Sequence, residues 1–242
     1  MEGAALATDT KRASVLRRVP VLEASRYVAA PGLEGDVCVF ELSQDAAPIV
    51  VEAPSGRHVM VAPGDRFLAA PGYRESTRWV VGGVPDGGLV PGEAYWVLAD
   101  AGIVGTLVGD SPREKAHLGA VRYLGAVRDG SGRGLNMRQF AVATEAGAKD
   151  RGAPLYLVVG TSAEVGKTTA GIAIIRSLRQ QGKARVTMLK ATGTSSIAEL
   201  SAYLDFGAAR AFDCVDFGLP TTYPSGRQGI DRIFEGALDT CL

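Results

Sequence analysis

From residue 19 to residue 143 the chain alternates short apolar-rich runs with turn residues. Runs at 36–42, 49–52, 58–62, 66–70, 77–81, 94–98, 121–127 and 139–142 read as β-strands. Between them stand Ala-Pro-Ser-Gly, Ala-Pro-Gly-Asp, Ala-Pro-Gly-Tyr, Val-Pro-Asp-Gly-Gly and Val-Pro-Gly-Glu, whose prolines and glycines supply the dihedrals of tight turns. Strands at intervals of about ten residues, without a long helical period, predict a small barrel or sandwich. Residues 1–18 read as an N-terminal tail, a frayed terminus or a short first helix, and the small, polar stretch 144–153 as a linker. Beyond it the pattern changes. An apolar strand at 155–159 precedes a helix at 166–181, with Ala170, Ile174 and Leu178 on one face. A strand at 185–190 and a helix opened by Ser196 and Glu199, at capping-box spacing, follow. A strand at 212–217, a polar loop at 219–229 and a helix carrying Ile230, Phe234 and Leu238 complete the chain. Alternating β and α elements predict a parallel sheet. The expected fold class is therefore α/β plus β: a β-barrel or sandwich-like domain over 19–143, then an incomplete parallel-sheet domain over 154–242.

Composition changes this picture little. Lys and Arg together number 26, as do Asp and Glu, so the net charge is zero. No global field attracts nucleic acid or a membrane surface, and no run of 18 apolar residues spans a bilayer. Cys38, Cys214 and Cys241 are odd in number and far apart, which predicts reduced thiols in a cytoplasmic setting. With only His58 and His117 as imidazoles, a histidine-rich metal centre is not expected.

The stretch that carries chemistry is 160–169, Gly160-Thr161-Ser162-Ala163-Glu164-Val165-Gly166-Lys167-Thr168-Thr169. A strand, a glycine-bounded loop and a helix opening on Lys-Thr are the context of a phosphate-binding loop. The glycines let successive N–H groups point inward, and the helix N-terminus adds its dipole to the same anion. Lys167 would reach the β- and γ-phosphates of ATP or GTP, and the Thr168 hydroxyl would ligate Mg²⁺.

Five residues separate the two glycines, one more than the usual spacing. In that form the loop resembles the one in dethiobiotin synthetase and its relatives in the SIMIBI class of P-loop NTPases. That class also holds amide ligases of cobalamin synthesis, metal-insertion GTPases and partition ATPases. The resemblance covers 155–242. It implies a parallel-sheet nucleotide-binding domain and a Lys closing the second strand, here Lys190, that contacts substrate near the γ-phosphate. It departs at Ser162-Ala163, where those enzymes carry Asp-Thr, which argues against the biotin-pathway substrate. It also implies further strands beyond Leu242, so the chain is expected to be a piece of a longer protein or to be completed by a partner.

The residues leave several alternatives open. Lys190 reads equally as a phosphoryl-stabilising cation and as a surface lysine. Asp216, at the end of the third strand, is a candidate Mg²⁺ ligand, whereas Asp213 has the opposite parity. The hydroxyl-rich loop 220–227 would bind substrate oxyanions or simply connect elements. Arg74, Arg78, Arg113, Lys115, Arg122 and Arg128 form either a basic patch or, better, solvated strand faces interleaved with acids. Tyr73, Trp79, Tyr95 and Trp96 fit a core better than a pocket. The expected function is a Mg-ATP-dependent kinase or ligase that phosphorylates a small carboxylate or carbamate, with Lys167 and Lys190 as catalytic groups. The alternative is a nucleotide-dependent switch, a regulatory GTPase or ATPase acting through a protein partner. The expected partners are nucleotide and a small anionic substrate, in a homo-oligomer.

Overall fold

The computed structural model describes residues 3–7, 10–20, 26–75, 80–110, 119–142, 154–182, 185–223 and 231. The linker 144–153, the last helix, Arg78, Trp79, Arg113, Lys115, His117 and Cys241 lie outside them.

The strands of the first half are β1 (Ala4–Ala5), β2 (Lys11–Arg12), β3 (Arg26–Val28), β4 (Cys38–Leu42), β5 (Ile49–Glu52) and β6 (His58–Val61). They continue with β7 (Arg66–Pro71), β8 (Arg74–Glu75), β9 (Val80–Gly83), β10 (Ala94–Ala99), β11 (Ile103–Asp110) and β12 (Ala120–Arg128). Five of them close a barrel in the order β12-β4-β7-β11-β10 and back to β12. Every pairing around the ring is antiparallel except β7 with β11. Closure leaves no open edge on these strands.

Three aromatic residues in register hold one wall. Phe40 on β4 stands opposite Tyr123 on β12 and Phe67 on β7. All three are fully buried, with ring centroids 5.4 Å and 6.1 Å apart. β12 must pair with β3, β4 and β10, and it bends to do so at a bulge between Tyr123 and Gly125. Gly125 has φ +156, and a Cβ there would stand 2.2 Å from the Val28 carbonyl oxygen.

The end of the N-terminal stretch folds as a 3-10 turn at Ser14–Leu16. Ala13, Ser14, Val15, Leu16 and Val19 are buried in the barrel core. Their segment is fastened by Ala13 N–H to Leu68 O and Val15 N–H to Ala101 O, both 2.9 Å. An Ala-Ser-Val-Leu run too short for a period gave no sign of this. The predicted strand at 139–142 is a 3-10 turn at Met137–Phe140, capped by Asn136.

The second half holds α1 (Lys167–Gln180), β13 (Thr187–Leu189), α2 (Ile197–Asp205) and β14 (Arg210–Phe212). β13 and β14 pair in parallel and with no other described strand. The predicted α/β class is therefore corrected. The chain is mostly β, with a closed five-stranded barrel and two helices among the described residues. That does not make an α/β parallel-sheet P-loop NTPase domain.

Two further departures explain how the halves join. The predicted strand 212–217 ends at Phe212, where Asp213 caps a 3-10 turn at Cys214–Phe217. Cys214, Val215, Phe217 and Leu219 then enter the same core as the barrel strands. On α1 the buried residues are Gly171 and Ile175, one position round from the expected face. They pack with Leu200 and Tyr203 of α2 and with Met188. No helix among the described residues is long and apolar enough to cross a membrane.

One carboxyl sits badly. Glu34 keeps a buried Oε1 with no hydrogen-bond partner among the described residues. Burial pushes its pKa up from the ordinary value, and the Arg138 charge only partly offsets this. A raised carboxyl folds better protonated, so stability is gained as pH falls through its folded pKa. Glu34→Gln is expected to raise the thermal midpoint at about pH 8 and to lose that advantage near pH 4. Melts of both proteins at the two pH values check it, and an advantage unchanged at low pH would refute it.

Candidate phosphate-binding loop

The loop begins without the strand predicted for it. Residues 155–159 form no strand, and Leu155, Tyr156, Leu157 and Val159 are 78%, 57%, 73% and 77% exposed. β13 and β14 pair only with each other among the described strands, and the apolar run joins neither.

The loop itself curls. A Cβ on Gly160 would stand 2.5 Å from Val165 Cγ2 and 3.1 Å from Lys167 Cγ, so the start of the loop lies against its end. Glu164 has φ 60 and Gly166 φ 88, two left-handed residues that turn the chain into α1. Gly166 has open space around it, so the dihedral rather than crowding calls for glycine there. As the N-cap residue it supplies no side-chain bond to the first-turn amides. Those amides form an uncapped, positive helix end. The Lys167 ammonium folds back over the loop and donates to Ser162 O at 2.5 Å. Thr161, Ser162 and Ala163 are exposed, Thr168 is half-buried and Thr169 exposed.

Lys190 follows β13. Gly171, in the second turn of α1, lies against Met188, and Ile175 further on shares a cluster with Val186. Lys167 is four residues before Gly171, about 6 Å along the helix, and Lys190 is two residues beyond Met188, about 6–7 Å along the strand. Lys190 is ion-paired with Glu199 at 2.5 Å, its side chain 19% exposed against 37% for Glu199. Only half of the expected capping box forms: Ser196 Oγ accepts from Glu199 N–H at 3.4 Å, while the Glu199 carboxylate goes to Lys190.

Asp216 is committed elsewhere. Its Oδ2 accepts from Arg17 at 2.6 Å and from Asp213 N–H at 3.0 Å. Arg17 also bonds Asp213 Oδ1 at 2.6 Å, which brings Asp213 and Asp216 onto one guanidinium despite their parity. Burial opposes the Arg17 charge, but the two carboxylates outweigh it and raise its pKa. The turn 219–222 sits close by, with buried Thr221 and Thr222 fastened to the Gly193 turn. Residues 224–227 of that loop lie outside the described residues.

Sequence reasoning missed Glu52 altogether. This buried carboxylate on β5 accepts from Ile197 N–H at 3.0 Å and Ala198 N–H at 2.9 Å, and from the Ser14 hydroxyl. It fills the N-terminus of α2 with an internal anion. The only signal was an acid closing the apolar run Ile49-Val50-Val51-Glu52.

Among the described residues, the barrel arginines are tied to partners on the barrel itself. Arg122 and Arg66 share Glu41, Arg74 donates to Leu98 O, and Arg128 to Gly132 O. Tyr95 is buried, Trp96 is half-buried against the core and Tyr73 is half-buried. No family model, curated protein or solved structure matches the chain.

Proposed function

We propose that the loop 160–169 holds the polyphosphate of a nucleotide, and that the chain activates a small carboxylate or carbamate by phosphoryl transfer from Mg-ATP in the cytoplasm. One observation carries the reading: an uncapped helix N-terminus entered through a left-handed glycine, with Lys167 folded across the loop that leads to it. Backbone amides would cradle the phosphates and Lys167 would exchange the Ser162 carbonyl for a phosphate oxygen. The Thr168 hydroxyl would hold Mg²⁺, and Lys190 would face charge on the transferred group. Asp216 would join the metal only after leaving Arg17. The reading rests on the loop, of the dethiobiotin synthetase type, and not on the fold around it.

A nucleotide-dependent switch is the second reading. The exposed apolar run 155–159 favours it, because such a surface directly before the loop suits a partner or a second copy.

Titration calorimetry with ATP, ADP and GTP plus Mg²⁺ tests both. The expected result is micromolar binding that Lys167→Ala weakens by at least about tenfold, the loss of one charge-assisted contact. Equal binding by the variant, or none by the parent, would overturn the phosphate-loop reading. GTP preference, with a nucleotide-dependent change in sedimentation, would select the switch.

A further inference from the structure

We propose that Glu199 is a built-in counter-ion which reserves the Lys190 ammonium for the terminal phosphate of the nucleotide and is displaced when that phosphate arrives. The inference rests on the phosphate-loop reading and adds the control of its second cation. Three internal anionic arrangements meet at the ends of β13 and β14, and they differ sharply in burial. Glu52, 4% exposed, is bonded to two α2 amides. Asp213 and Asp216, with side chains 1% and 8% exposed, are bonded to Arg17. Glu199 stands apart, with a side chain 37% exposed and its carboxylate on a flexible lysine rather than on backbone.

Ion pairs that water reaches are weak, and water reaches the Glu199 member of this half-buried pair. A phosphate carrying two or more charges outcompetes a single carboxylate for the same ammonium. Removing the carboxylate therefore removes a competitor. The Lys190 stem runs beside the turn at Gly193, φ +106, where an added Cβ would stand 3.7 Å from its Cε. Lys167 is arranged alike, parked on the neutral Ser162 carbonyl. Both lysines hold acceptors that a polyphosphate can replace. Glu199 acts through Lys190 and is a positioning residue.

Calorimetric titration of the full chain with Mg-ATP and Mg-ADP tests this on the parent, Glu199→Gln, Lys190→Ala and the double variant. Glu199→Gln should tighten ATP by about two- to fivefold, the weight of one partly solvated ion pair. ADP binding should stay unchanged. The gain should vanish when Lys190 is alanine, which a merely structural role of Glu199 does not predict. Unchanged or weaker ATP binding by Glu199→Gln, or equal tightening of ATP and ADP, would overturn the proposal. The phosphate-loop reading would survive that result if binding still depends on Lys167. Absence of nucleotide binding by the parent would instead remove both.

Discussion

Arg17→Met should cost the protein about 3–5 kcal/mol, as removing one partner of a buried charge cluster does. The substitution keeps an unbranched apolar stem but strands two carboxylates whose side chains are only 1% and 8% exposed. Their attraction to Arg17 is what offsets the desolvation of all three groups. Burial pushes the Asp216 carboxyl up from its ordinary value even with Arg17 present. Without the guanidinium that displacement grows. A carboxyl whose folded pKa is raised is less costly once protonated, so the loss should shrink as pH falls. Urea melts at about pH 8 and pH 5 measure it; a loss independent of pH, or below about 1 kcal/mol, would refute the account. Combining Arg17→Met with Asp213→Asn and Asp216→Asn should restore much of the stability. Asparagine still caps the turn that Asp213 caps.

Glu52→Gln should cost about 2–3 kcal/mol, with the damage focused on α2. The carboxylate uses both oxygens at the helix start, one for Ile197 N–H and the other for Ala198 N–H. An amide of the same shape offers one oxygen and turns an NH₂ toward the second N–H, leaving a buried donor facing a donor. The charge that favours the helix dipole is lost as well. Amide hydrogen exchange reads this directly: Ile197 and Ala198 should lose protection in the variant, and retained protection there would sink the idea.

The barrel strands were legible because Pro-Gly turns cut them and β-rich apolar runs fill them. Ile49–Glu52 and Ala94–Ala99 are examples. β11 was not, since Gly105 and Gly109 interrupt an otherwise apolar Ile103-Val104 and Leu107-Val108. Glycine there meets close backbone, the Gly83 carbonyl oxygen lying 2.5 Å from a Cβ placed on Gly105. Both helices were legible from glycine and serine at their starts. The parallel sheet was overread. Apolar runs at 155–159 and 212–217 have the composition of buried strands, but one pairs with nothing described and the other folds into the barrel core. Composition reports the wish for burial; it does not say against what. At the site, Gly160, Gly166 and Lys167 could be read from their spacing. Arg17 and Glu52 could not, because each acts on residues more than a hundred positions away.

The barrel core is closed by pieces from both flanks, 13–19 and 214–219. Its five strands end at Arg128, long before the second piece begins. A ribosome that has released every barrel strand has therefore not yet released Cys214, Val215, Phe217 and Leu219. Until they emerge, the nascent barrel presents an open apolar end, the kind of surface that chaperones and neighbouring chains find. Completion must wait for contacts of large sequence separation, which are the slow ones to form. Folding of the barrel core therefore trails the synthesis of its own strands until residue 219 has emerged.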